Sequence, residues 1–402
     1  MPTTDASPVP QAALVPVARR ERVDSIDVVR GIALFGVLQV NLLTEFRVSL
    51  FRQFVTRHTD PGWLNHLVDN ALEIALFFKA FALFSFLFGA GLGAQYERTL
   101  QSGRSFFAFA ARRLAILLVI GLIHLFLINN GDILTTYAVI GLLALPFMRC
   151  SRAVLLGLSA LAYLAAVAPI PYPPLFGGGE TLRAHIDAAN HAYGSGSLAD
   201  VTRFRIHEVR HIAVLLLWAV PRTLGLFLLG VVAWRERLFE APVDRLGALR
   251  AIATGGLVGG GAAQTAVFAA HEGWWHITER TVSAVDVFGA GALALGYAAA
   301  LVLLLRRPRV QRLFAPLASL GRAALSNYLC QSIILGGLFY GYGAGLYGRL
   351  GSASAAGVGL VIYALQVVAS HIWFRHFHFG PAEWLWRSLT YGQRQPMRRR
   401  RS

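Results

Sequence analysis

Runs of about 20 apolar residues recur along the 402-residue chain, and this recurrence limits the fold more than any other feature. A helix rises about 1.5 Å per residue, so each run matches a bilayer core of about 30 Å. Within that core every backbone N–H and C=O must find a partner inside the protein, which leaves helices or closed barrels. Long unbroken runs select helices. Ten spans follow, at roughly residues 26–46, 71–94, 112–129, 132–148, 152–170, 210–232, 250–270, 283–305, 320–341 and 353–374. The expected class is all-α: a polytopic integral membrane protein with about ten transmembrane helices.

Composition agrees, with 55% hydrophobic and 14% charged residues and a mean hydropathy of +0.54. In a soluble chain a net charge of +16 points to nucleic acid. Here the arginines gather in the segments on one side of the spans, 25 against 9, so no nucleic-acid partner is expected. The positive-inside rule then places both termini in the cytoplasm, and an even number of spans agrees. The first apolar run carries Asp27 and Arg30 and no small-residue cleavage pattern follows it, so it is expected to stay as a membrane helix. The lipid bilayer is the first expected partner, and a bacterial inner membrane the expected location.

The chain divides into a Pro- and Ala-rich cytoplasmic tail (1–20), a five-helix half (21–170), an extracytoplasmic loop (171–209), a second five-helix half (210–379) and a cytoplasmic interfacial helix with a basic tail (380–402). The loop opens on PYPPLFGGG, which cannot continue a helix, and holds an amphipathic stretch around 182–193 that lies on the membrane surface or caps a cavity. No repeat relates the two halves. GLVGGGAA (256–263) and GAGALALG (289–296) place small residues at helical spacing and read as close helix packing. The glycines from Gly341 to Gly351 follow no strand and open no helix, so they are not a phosphate loop.

Residues 112–145 form an apolar hairpin turning at Asn129, Asn130 and Gly131, with Arg112 and Arg113 at its open end. Into it the sequence puts His124 and Asp132. An ionisable side chain at membrane depth costs several kcal/mol unless it is paired or meets water, so the two read as a working site. His124 lies roughly 8 Å below the turn and Asp132 just beyond it, within reach of each other. In the first span Asp27 and Arg30 are one turn apart and are expected to pair, and Asn41 continues their face upward. Lys79, the sole lysine, sits among phenylalanines and is expected to face a polar interior, where Asp132 or an anionic ligand is its partner. Arg222 poses the same question beside Pro221.

His207-Glu208-Val209-Arg210-His211 matches the helical zinc motif H-E-x-x-H. Arg210 inside it and the lack of a third ligand on the same side favour a solvated helix start, and no metal is expected. Cys150 and Cys330 are expected to be free thiols.

Asp27/Arg30/Asn41, LFSFLFGAG, RRL…GLIHLFL…GDIL…YA, GRAALSNYLCQS (321–332) and GPAEWLWRSLTYG (380–392) together resemble the YeiB family of bacterial membrane proteins over nearly the whole chain. More distantly, that family is similar to transmembrane acyltransferases, among them those that modify sugars and the lysosomal heparan glucosamine acetyltransferase. Such enzymes share an Asp-x-x-Arg-Gly start to the first span, here Asp27 to Gly31, and accept an acyl group from cytosolic acyl-CoA. Many have a histidine eleven residues after the arginine. Asn41 stands there, as an asparagine does in relatives of the heparan enzyme, and neither His58 nor His66 carries the pattern around those relatives' later histidine. His124 takes that role on physical grounds.

Two readings of function follow. In the first, a membrane O- or N-acyltransferase uses Arg112 and Arg113 with Asp27, Arg30, Asn41 and Lys79 to bind donor and substrate, while His124, oriented by Asp132, acts as base. It needs no cofactor beyond acyl-CoA as co-substrate, and its partners are an envelope glycan or small-molecule acceptor and a second copy in a homodimer. In the second, a small-molecule transporter or permease lines its passage with the same residues.

Overall fold

A computed structural model describes residues 24–56, 60–103, 105–168 and 179–399. The chain is an all-α polytopic membrane protein, 82% helical, with no strand among the described residues. The expected tail and His58 lie outside the described residues, as does the Pro/Gly-rich start of the loop.

In chain order the helices are α1 (Asp24–Asn41), α2 (Trp63–Ala75), α3 (Lys79–Gln101), α4 (Phe106–Leu127), α5 (Ile133–Ala144), α6 (Arg152–Ala165), α7 (Gly179–Ser195) and α8 (Leu198–Arg235). After them come α9 (Leu246–Gly255), α10 (Gly261–His271), α11 (Glu279–Leu305), α12 (Pro308–Arg322), α13 (Ala324–Phe339), α14 (Ser352–His376) and α15 (Pro381–Tyr391). Seven stretches of the described chain are long and apolar enough to cross a membrane: Ser25–Phe46, Trp63–Gln101, Phe106–Leu127, Leu198–Arg235, Val243–His271, Glu279–Leu305 and Ser352–His376. Shorter apolar helices cover Ile133–Arg149, Arg152–Ala165 and Ala324–Phe339. A helix lies at each expected span, and seven of these stretches reach the length of a crossing.

Breaks inside the expected spans matter more than their ends. The second is cut at Phe78, which takes a left-handed φ of 60° between α2 and α3. A π turn at Leu42–Phe46 ends α1, and another at Gly256–Gly260 joins α9 to α10. Such turns occur often at functional sites or close packing. The expected boundary at 209/210 is absent, because α8 runs unbroken through it with Pro221 inside. Its first half buries Val201, Arg205, Glu208, His211 and Ile212, a helical stripe written partly in polar residues. The stretch around 182–193 buries Leu182, Ile186, Ala189 and Tyr193, so α7 lays its apolar face on protein.

The two halves interleave: α1 packs along α12, and α3 along α8. Glycines set these crossings. A Cβ on Gly31 would overlap the Leu317 carbonyl, and one on Gly321 would overlap that of Asp27. At the second crossing Gly89 and Gly230 face the carbonyls of Phe227 and Phe86. Gly256 and Gly260 meet α11 in the same way, as their spacing predicts.

Candidate functional site

The hairpin of α4 and α5 brings His124 and Asp132 together. His124 Nδ1 lies 2.8 Å from Asp132 Oδ1, and both side chains are fully buried. Local sequence explains the carboxylate's position: Asp132 caps α5, accepting from Leu134 N at 3.1 Å and Thr135 N at 2.6 Å. It thereby satisfies orphan donors of the helix and holds the imidazole at once. Gly121 lets the return helix come close, since a Cβ there would lie 2.6 Å from Thr135 N.

The other edge of the ring meets a residue that reading the sequence did not single out. His124 Nε2 lies 2.9 Å from Ser332 Oγ on α13, and the ring packs against Tyr328 at 5.0 Å between centroids. Asp132, His124 and Ser332 make one buried hydrogen-bonded row. With Nδ1–H donating to Asp132, the Nε2 lone pair faces the Ser332 hydroxyl, an arrangement that can take up a proton. Ser332 closes the GRAALSNYLCQS run, so a motif marked it although no spacing did.

Three cavities border the elements that carry this row; Asp132 lines one of them, and His124 and Ser332 line none of the three. One of about 620 Å³ is lined by Asn41, Glu45, Lys79, Asp132, Arg222 and Asp286 with many apolar side chains. A second, of about 230 Å³, lies at the end of the molecule where α1 begins, walled by Asp27, Arg30, Arg98, Arg113, Arg322 and Arg387. A third, of about 190 Å³, shares Arg30, Arg113, Arg322 and Arg387 with the second and reaches Tyr137 and Tyr328. Val37 and Ile133 line both the third and the largest cavity. The His124–Asp132 couple thus sits beside the wall between a space rich in arginine and a wider one at the hairpin turn.

At the arginine-rich end Arg30 pairs with Asp27 at 3.2 Å, as their spacing predicts. Arg113 stacks on Trp386, 3.6 Å from the ring centroid, and its carbonyl accepts from Trp386 Nε1 at 2.8 Å. Arg322 lies over Phe374 and Arg387 over Phe379. Glu383, between them, accepts from Leu325 N at 2.7 Å and Ser326 N at 3.1 Å and so caps α13. Desolvation pushes its carboxyl above the ordinary range, against the pull of those hydrogen bonds.

Other expected residues fall differently. Arg112 is exposed and lines none of these cavities, so of the adjacent pair only Arg113 faces them. Lys79 is buried on the wall of the large cavity, as expected, yet its Nζ donates to the Glu73 carbonyl at 2.7 Å. The break at Phe78 makes Lys79 the first residue of α3, which turns it toward the end of α2. Asn41 lines the same cavity.

The H-E-x-x-H stretch is no solvated helix start. Glu208 is buried and accepts from Tyr193 Oη at 2.8 Å, His185 Nε2 at 3.0 Å and Asn130 Nδ2. His207 instead turns outward and bonds the Arg203 carbonyl at 2.8 Å. Among the described residues no group of three or more His, Cys, Asp or Glu is placed to hold a metal. Glu208 and Glu45, which accepts from Asn129 Nδ2 at 2.9 Å, are the carboxylates that fix the hairpin turn.

Comparison with known proteins finds relatives that match most of the chain's length. The model of the family described as "Protein of unknown function (DUF418)" matches residues 233–393. "Uncharacterized protein YxaH" of Bacillus subtilis is 34% identical over 411 residues, covering 96% of this chain and 98% of that protein. A 39.9 kDa protein from the amylase 3′ region of Bacillus acidopullulyticus is 28% identical, covering 95% and 97%. "Uncharacterized protein YeiB" of Escherichia coli is 26% identical, covering 92% and 96%. The chain belongs to the YxaH/YeiB family of multi-pass membrane proteins, whose C-terminal part is the DUF418 region.

Proposed function

We propose that the chain is a bacterial inner-membrane acyltransferase, moving an acyl group from cytosolic acyl-CoA to an acceptor that enters from the other side. The observation that carries this reading is the buried row Asp132–His124–Ser332 beside the wall between two cavities. Arg30, Arg113, Arg322 and Arg387 form a cluster suited to phosphates, by charge and by bidentate hydrogen bonding. The narrow third cavity leads from them toward Tyr328 and suits an extended acyl-carrying arm. The likeness of Asp27-Val-Val-Arg30-Gly31 to the start of known transmembrane acyltransferases supports the same assignment.

In this mechanism the acceptor is a hydroxyl or amine of an envelope glycan or small molecule. Nε2 has one lone pair, and Ser332 Oγ occupies it. The acceptor's proton therefore passes through Ser332 to His124 as the acceptor atom bonds the acyl carbon. The carbon–sulfur bond breaks, and the thiolate leaves with the proton the imidazole has gained. Asp132 stabilises the imidazolium between these steps.

His124→Ala is expected to lower transfer of labelled acetyl from acetyl-CoA by at least about a hundredfold per folded molecule, and also to lower the thermal unfolding midpoint, because it leaves Asp132 buried without its partner. Ser332→Ala should lower turnover by about tenfold, because a relay is lost and the base is kept. A purified protein that neither binds acyl-CoA nor labels any envelope component contradicts the reading. The shared walls of the three cavities favour a second reading, a small-molecule permease. Uptake into proteoliposomes without an acyl donor distinguishes it.

A further inference from the structure

The large cavity holds charges that the transfer step does not use. Arg222 is buried in its wall, with its guanidinium carbon 4.4 Å from the centroid of Phe78 and 5.1 Å from that of Trp218. Its Nε and Nη1 reach no hydrogen-bond partner among the described residues. Lys79 lines the same wall, with a backbone carbonyl under its ammonium.

Five acids line the cavity: Asp69 on α2, and four that fall into two groups. Glu45 and Asp132 act on each other at the hairpin turn, where Asn129 and His124 hold them. Near the two cations stand Asp286, held by Gln264 at 3.2 Å, and Glu73, engaged by His271 at 3.0 Å. A buried guanidinium lacking partners is costly, and a fold keeps one where an anion completes it. The strained φ of Phe78 lies in the same wall, and strain of this kind gathers at binding sites. Leu72, Phe77, Leu215, Leu216 and Trp218 give the remaining surface an apolar character.

We infer that Arg222 and Lys79 form a subsite for an amphiphile with an oxyanion head, a phosphate or carboxylate joined to a hydrocarbon chain. The head binds the two cations and the chain lies against the apolar wall. Its identity as the acceptor rests on the acyl-transfer reading, whereas its binding does not and is what the experiment reads.

The full-length protein is placed in nanodiscs of phosphatidylcholine and titrated with octyl phosphate, octanol and inorganic phosphate, following tryptophan fluorescence. Octyl phosphate is expected to saturate a change that Trp218→Phe removes. Octanol and inorganic phosphate should each bind at least about tenfold more weakly. Arg222→Gln and Lys79→Met should each weaken octyl phosphate by about tenfold or more, and Arg222→Lys by less. If Arg222→Gln fails to fold, Lys79→Met carries the comparison. Equal affinity of the wild type and both charge-removing variants overturns the subsite. Octanol binding as well as octyl phosphate overturns the oxyanion head, and inorganic phosphate binding as well overturns the hydrocarbon chain.

Discussion

Gly131 shows how tightly single residues are fitted around the His124–Asp132 couple. A Cβ there would overlap the carboxylate of Glu45, which is held by Asn129 two residues earlier in the same turn. Gly131→Ala is therefore expected to destabilise the protein by about 1–3 kcal/mol, whereas in a Glu45→Ala background, itself weakened by loss of the Asn129 contact, the same change should cost little. Thermal unfolding of both single variants and the double variant checks this coupling, and additive losses contradict it. The His124–Asp132 pairing was legible because it is local: a turn of three residues and a helical rise place two ionisable groups within reach. Ser332 was not legible as their partner, since it lies 208 residues from His124 and only the fold of α13 onto the hairpin joins them. Lys79 was legible as a buried cation and not in its partner, because the left-handed residue before it re-aims the chain.

Among the elements, the α1–α12 crossing depends on two glycines that meet backbone carbonyls across the contact. A carbonyl cannot swing aside as a side-chain tip can. Gly31→Ala and Gly321→Ala should each cost about 1–3 kcal/mol and lower the yield of folded protein, whereas Gly357→Ala, where a Cβ meets nothing, should be neutral or slightly favourable. Yield and unfolding midpoint of the three variants decide it, and equal effects would contradict this packing account. Apolar helices of the right length were legible from hydropathy, and so was the close packing of GLVGGGAA on α11. The first half of α8 was not. Its buried stripe contains Arg205, Glu208 and His211, which hydropathy counts as loop although Glu208 is hydrogen-bonded inside the protein, Arg205 lies over the Tyr340 ring and His211 meets His185 edge-on. The zinc-like spacing arises from the same stripe: Glu208 faces inward to Asn130 and Tyr193, and His207 one step away faces outward.

Across the whole molecule, charge and cavities are arranged along one axis. The arginine-rich space opens at the end where α1 begins, the wide cavity lies at the hairpin turn, and the third cavity, which shares lining residues with each, runs between them to Tyr328, whose ring packs on the buried imidazole. The sequence announced the arginine excess as a matter of topology, and only the packing of α15 beside α4 turns part of it into a cluster. Arg322 and Arg387 were visible solely as members of motifs. In the proposed mechanism this axis separates donor from acceptor, so the chemistry has a side. The most direct measurement supplies membrane-impermeant labelled acetyl-CoA to sealed inside-out and right-side-out vesicles carrying the protein. Label should enter the membrane fraction of inside-out vesicles alone, and His124→Ala should abolish it. Equal labelling from both faces, or labelling that survives His124→Ala, contradicts the account.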